Sequence, residues 1–183
     1  MYEANEGYYE RFRKDDAFVF GRNMDIEVLV NEYFRTKTLV LSGIAQRQAN
    51  AIQKEIVKLR AQELSIPVIA RGIQEKFSNI FRSRAKLIAR TETHNVASFA
   101  NHSYHSTLSD NLGINMMKRW CSVADERTRS FHADANGQTV NMEGDFLVGG
   151  APMKYAGDQR GGAKNVINCR CVILYVDEND VVT

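Results

Sequence analysis

The sequence predicts an α+β fold, with long helices in the first part of the chain and a small, loop-rich mixed α/β module after them. Three observations carry that expectation. Apolar residues recur at helical spacing through residues 25–112, where glycine is sparse and proline occurs once. Most of the twelve glycines fall instead between Gly113 and Gly162. The chain then reaches Cys-Val-Ile-Leu-Tyr-Val at 171–176, a β-rich run apolar enough to be central in a sheet or well covered. A length of 183 residues suits one domain, or a small domain with a helical extension. The division expected is a helical arm over 1–81 and an α+β domain over 82–183.

The elements follow in order. Residues 42–63 place Ile44, Ala45, Ala49, Ile52, Ile56 and Leu59 on one helical stripe and leave Lys54, Lys58 and Arg60 to water. Ser65 ahead of Pro67 marks a second helix start, with serine as cap and proline in the first turn, where its missing N–H costs nothing. Ile66, Ile69, Ile73 and Phe77 follow at helical spacing. A third helix is expected over 82–112, with Ala85, Ile88, Ala89, Val96, Phe99 and Leu108 inward. Gly113 ends it, because glycine readily takes the left-handed conformation of a C-terminal cap. Residues 114–123 read as a strand with imperfect alternation, and 125–135 as a polar turn or short helix. A short strand over 138–142 follows the Asn136-Gly137 turn, and a glycine-rich loop region covers 143–168.

Composition bounds the function. Hydrophobic residues at 44% and charged residues at 25% are ordinary for a globular protein. No apolar run approaches the roughly 20 residues that span a bilayer, so no membrane partner is expected. Residues 1–10 are acidic and tyrosine-rich, unlike a secretory signal, which puts synthesis in a cytoplasm. A net charge of +2 does not by itself point to nucleic acid. Cysteines at 121, 169 and 171 make a poor disulfide framework, and reduced thiols, with or without a metal, are the better expectation.

Asn168-Cys169-Arg170-Cys171 is the strongest local signal. If the backbone turns there, the two thiolates can share a zinc ion, which takes four soft or borderline ligands. His132, Asp125 and Cys121 are the candidates to complete the set, against the plain alternative that both cysteines only fill space beside a strand. In residues 125–132, Asp-Glu-Arg-Thr-Arg-Ser-Phe-His, Asp125 is placed to cap the following turn. Arg127 and Arg129 can clamp carboxylates bidentately, with Asp145 and Asp158 as partners. Acid–base chemistry by Asp125 and His132 lacks a nucleophile or phosphate loop beside it, so an ion-pair network is expected.

On the third helix Arg90 and His94 share a face, and either Arg90 or Glu92 can turn inward. His102 and His105 have helical spacing but no His-Glu-X-X-His pattern, so no catalytic metal is expected there. Arg82, Arg84 and Lys86, with Arg90, form a basic stretch suited to phosphates, to an acidic partner, or only to water.

Taken in order, these pieces resemble the minor head protein family of the phage Mu F protein and the SPP1-type head morphogenesis proteins. The resemblance runs from 82 to 176. It includes Ala-Arg-Thr-Glu-Thr-His-Asn-Val-Ala at 89–97, Gly113, Lys118-Arg119-Trp120, the 125–132 segment and Asn136-Gly137-Gln138. Phe146, residues 153–158 and the Cys-X-Cys motif complete it. It implies a virion protein present in few copies at the portal vertex, made in the host bacterial cytoplasm. Its implied work is head assembly and DNA packaging, retention or delivery, with portal or capsid proteins and double-stranded DNA as partners and oligomerisation on the particle.

The resemblance further implies a structural set of Arg90, Glu92, Trp120, Asp125, Arg127, Arg129, His132, Asp158, Asn168, Cys169 and Cys171, with Trp120 in the module's core. Two departures matter. Ala156 stands where relatives usually carry proline. Some relatives carry Cys-X-X-Cys where this chain has Arg129 and His132, which leaves His132, Cys169 and Cys171 as three zinc ligands and gives Arg129 a carboxylate to pair with instead. The competing expectations are a nucleotide-using or nuclease-like enzyme or toxin, working through Arg90, Glu92 and His132, and a metal-stabilised DNA-binding module. The chain ends seven residues after the last strand, which leads to the expectation of no fused toxin domain.

Overall fold

The computed structural model describes residue 33 and residues 46–78 and 80–177. It is an α+β structure. Helix α1 (Gln46–Arg60) and helix α2 (Ile66–Lys76) lead into a long helix α3 (Arg82–Leu112). Strand β1 (Met116–Cys121), helix α4 (Ser130–Asp134), strand β2 (Thr139–Asn141) and strands β3 (Phe146–Val148) and β4 (Ala151–Met153) follow. A 3-10 turn (Gln159–Gly161), helix α5 (Gly162–Val166) and strand β5 (Val172–Asp177) complete the order. The expected stripe positions Ile44 and Ala45 lie outside the described residues.

The helical core comes from the predicted spacing. Ile52 and Ile56 of α1 meet Ile69, Ala70 and Ile73 of α2 and Ala85, Ile88 and Ala89 of α3. These last three lie past the expected 81/82 boundary, so α3 closes the helical cluster as well as the sheet. Lys76 pairs with Glu55 across the α1–α2 contact. Ser65 stands at the N-cap but its hydroxyl makes no capping bond, and the turn is closed by its carbonyl, which accepts from the Val68 and Ile69 amides. Gly113 ends α3 as expected, at φ 62°. At a rise of 1.5 Å per residue α3 is roughly 45 Å long, enough to bridge two cores.

The second core is the α/β module. Its sheet has the order β2-β1-β5, antiparallel throughout, with Trp120 opposite Ile173 and Lys118 opposite Tyr175. Among the described strands β5 is therefore an edge and not central; its apolar run is covered by α3, where the His105 ring lies flat on Tyr175 at 4.1 Å. The imperfect alternation of β1 has a physical cause. Met116, Lys118 and Trp120 all face inward, and Lys118 is wholly buried. Its ammonium donates to the carbonyls of Gly144 at 2.9 Å and Lys154 at 3.0 Å and lies over the Phe146 ring.

The expected loop over 143–168 is more ordered than the sequence suggested. Phe146, Val148 and Met153 are buried in a β3–β4 hairpin. Gly149 and Gly150 supply its two left-handed residues, at φ 55° and 79°. Among the described residues no helix is long and apolar enough to cross a membrane.

Candidate metal centre and its surrounding network

Asn168 adopts a left-handed backbone at φ 56°, a conformation asparagine tolerates better than most residues. The chain turns on it: the Cys169 amide donates back to the Val166 carbonyl at 3.1 Å, and the Asn168 amide donates to the Thr91 hydroxyl of α3 at 3.1 Å. This is the reversal that the Cys-X-Cys spacing required. Residues two apart at the strand entrance share a face, so Cys169 and Cys171 turn inward while Arg170 points out.

His132 meets them from α4. That helix is a single turn, opened by the Arg129 carbonyl, which accepts from the His132 and Ala133 amides. Ser130, Ala133 and Asp134 are exposed and His132 is buried. Its Nδ1 stands 3.2 Å from the Cys171 sulfur and 3.8 Å from the Cys169 sulfur. The three donor atoms lie within 4.8 Å of one another, and all three residues are buried. Trp120 walls the cluster, its ring edge-on to His132 at 5.8 Å and to Phe146 at 5.4 Å.

The two thiols are pushed in opposite directions by their contact. A hydrogen bond from Cys171 pushes the Cys169 thiol down; burial opposes this, and the His132 and His94 side chains assist it. Cys171 is pushed up in return, first by holding that hydrogen bond and then by burial. A buried pair of sulfurs beside an imidazole nitrogen is a donor set that suits zinc. The buried Nε2 atoms of His132 and His94 have no hydrogen-bond partner among the described residues. The residues present therefore fit a bound metal, with Cys169, Cys171 and His132 to hold it and a structural cross-link as the chemistry it would supply.

Other expected site residues fall elsewhere. Asp125 is not beside the sulfurs. It accepts both nitrogens of the Arg170 guanidinium at 2.6 Å each, and that pairing, aided by Thr128 and the Arg127 amide, holds its carboxyl well below the usual range. Asp125 does cap the turn as expected, accepting from the Arg127 amide and the Thr128 hydroxyl at 3.1 Å each. Cys121 lies on β1 with its sulfur towards the Arg119 carbonyl, outside the cluster.

The expected carboxylate clamps by Arg127 and Arg129 are not the ones the fold makes. Arg127 is exposed and has no carboxylate partner among the described residues. Arg129 donates to the Ile167 carbonyl, which braces the Cys-X-Cys turn. Arg160, which sequence reasoning missed, holds the acids instead: two bonds to Asp145 at 2.7 and 3.0 Å and one to Asp158 at 2.9 Å. Asp158 is buried and also accepts from the Lys154 amide at 2.8 Å and the Arg160 amide at 3.1 Å. The signal available was the spacing of Asp158 and Arg160, an acid capping a turn that carries its own arginine.

On α3, Glu92 is the residue turned inward and Arg90 is exposed. Arg82 and Lys86 are exposed and Arg84 half-buried. His102 and His105 are buried against Tyr155 and Tyr175 and form no metal cluster among the described residues.

Fold and cluster together define a helix-anchored α+β module closed by a buried sulfur–imidazole centre. The chain belongs to the Phage Mu protein F like family, whose profile matches residues 40–174. It is 28% identical over 148 residues to the minor head protein GP7 of Bacillus phage SPP1, covering 78% of this chain and 47% of that protein. It is also 32% identical over 108 residues to the NAD(+)–arginine ADP-ribosyltransferase EFV of Enterococcus faecalis (strain ATCC 700802 / V583), covering 59% of this chain and 22% of the transferase. The chain thus spans under half the length of either relative. No solved structure matches it significantly.

Proposed function

We propose that this chain is a minor structural component of a tailed-phage head, acting at the portal vertex in head morphogenesis and in DNA packaging or delivery, and not an enzyme. The observation that carries the reading is the family match over 40–174, joined to 28% identity with a protein named as a minor head protein. In this reading the α/β module is a rigid docking unit and the helical part reaches portal or capsid proteins. A zinc ion held by Cys169, Cys171 and His132 pins the module's loops. Phe81, 81% exposed at the start of α3, is an apolar anchor on the helical side.

The match to the ADP-ribosyltransferase keeps an enzyme reading in view. It involves 22% of that protein, and the same chain also matches a head protein, so it carries no activity to this chain by itself. A DNA-contacting role has one observation in its favour: exposed Arg82, Lys86 and Arg90 lie four residues apart along one face of α3. Alanine at all three should weaken duplex binding and flatten its salt dependence, by up to about three phosphate contacts in the slope. Binding that ignores salt would remove the DNA role.

Cross-linking mass spectrometry on purified heads tests the placement. Cross-links from the α1–α2 lysines to the portal protein are expected. Cross-links spread evenly over the major capsid protein would contradict a portal-vertex position.

A further inference from the structure

We propose that His94 of α3 is the fourth ligand of the metal held by His132, Cys169 and Cys171, completing a Cys2His2 set. The inference rests on the structural-zinc reading above and deepens it by naming the residue that closes the coordination shell. Zinc in a structural site is almost always four-coordinate, with no position left open. The cluster supplies three donors, so a fourth has to come from a neighbouring side chain.

Three observations single out His94. Its Nε2 is buried with no hydrogen-bond partner among the described residues. A buried imidazole nitrogen left unpaired costs on the order of 1–3 kcal/mol, which ligation would remove. Second, α3 is fastened to the Cys-X-Cys turn one helical turn before His94. Thr91 takes the Asn168 amide at 3.1 Å, and a residue three positions on lies on the same face. His94 therefore lies on the face of α3 that meets the Cys-X-Cys turn. Third, His94 lines a cleft between α3 and β5, with Asn101, Val172 and Tyr175 among its other walls. His94 stands next to the three inner donors rather than among them, and the cleft on its other side leaves the ring free to change rotamer.

The alternatives are committed elsewhere. The Asp125 carboxylate is engaged by Arg170 at the surface, and Cys121 lies on β1 outside the cluster. Charge also fits. Two thiolates and two neutral imidazoles cancel the 2+ of zinc, so the finished site carries no net charge into the interior. The result would tie α3, α4 and the entrance of β5 to one atom, joining the long helix to the sheet.

The test uses the full chain, titrated with zinc against a chromophoric chelator and with cobalt(II) for absorption spectra, in wild type and in His94→Ala, His94→Cys and Cys169→Ser. Circular dichroism of the metal-free forms checks folding. One metal per chain is expected in wild type. Changing an outer-shell partner of a metal ligand already costs about 10–100-fold in affinity, so His94→Ala should bind at least about tenfold more weakly. His94→Cys should keep tight binding, move the cobalt bands to lower energy and strengthen the sulfur-to-cobalt charge transfer. If wild type binds, Cys169→Ser does not, and both His94 variants match wild type in affinity and spectrum, then His94 is not a ligand and the three-residue site stands. If wild type takes up neither metal, the zinc reading fails and the inference with it.

Discussion

At the residue scale the module uses polar groups where a plain core would use apolar ones. His102 is buried between Tyr155 and Tyr175. Burial first, and then the charges of Lys118 and Lys154, lower its pKa from 6.5 to about 4, with Glu143 and Asp158 pulling weakly the other way. Its folded value lies below its unfolded one. The stability tied to the neutral ring is therefore complete above pH 6.5 and is lost as pH falls towards 4. His102→Phe keeps the ring contacts and cannot take a proton. It should blunt the acid destabilisation by on the order of 1–2 kcal/mol at pH 4.5, read from chemical denaturation at pH 7 and pH 4.5. Equal pH slopes in both proteins would refute the assignment.

Arg160 works at the surface, where one planar guanidinium serves Asp145 and the buried Asp158 together. Lysine keeps the charge but loses the fork. Arg160→Lys should therefore cost about 1–2 kcal/mol in thermal or urea unfolding; an unchanged melting curve would mean that the acids are held by their backbone bonds alone.

At the element scale, α3 was fully legible, from Arg82 to its glycine cap, because a long stretch without glycine or proline, recurrent small and apolar positions and a left-handed terminator are all local signals. The β3–β4 hairpin was hidden. Its strands are three residues each, too short to show alternation, and only the Gly149-Gly150 pair announced the turn. Strand β1 was blurred by Lys118, whose burial depends on carbonyls 26 and 36 residues away. The same limit applied to the candidate metal centre. Cys169, Cys171 and His132 were nameable from motif and resemblance, whereas the pairing that takes Asp125 away from them joins residues 45 apart and left no local sign.

The contact between α3 and the loop after β4 supplies a test of element packing. Gly157 has φ +88°, and a Cβ there would lie 2.4 Å from Oδ1 of the buried Asn95. Gly150 has φ +79° with nothing within 4 Å. Alanine at Gly157 should cost more than about 2 kcal/mol, and at Gly150 only the left-handed backbone strain of about 1–2 kcal/mol. Similar losses at both sites, in equilibrium unfolding, would show that α3 can shift away from the loop.

At the scale of the whole molecule, α3 is shared by two cores. Its first turns close the helical cluster, and further along Leu108 enters the α/β core, with Phe99 packed against it. Between them Tyr33 packs on Val96 and on Phe99, with ring centroids 5.4 Å apart for the second pair. A shift of α3 would therefore be felt in both cores at once. Because this chain matches less than half of the head protein it resembles, the role is best tested in particles.

The most direct measurement is quantitative mass spectrometry of purified heads, counting this chain against the major capsid protein. A few copies per particle, retained after DNA is packaged, is the predicted result. Complete absence from heads that nevertheless need the protein to assemble would contradict a resident head component and make the chain a transient assembly factor or an enzyme.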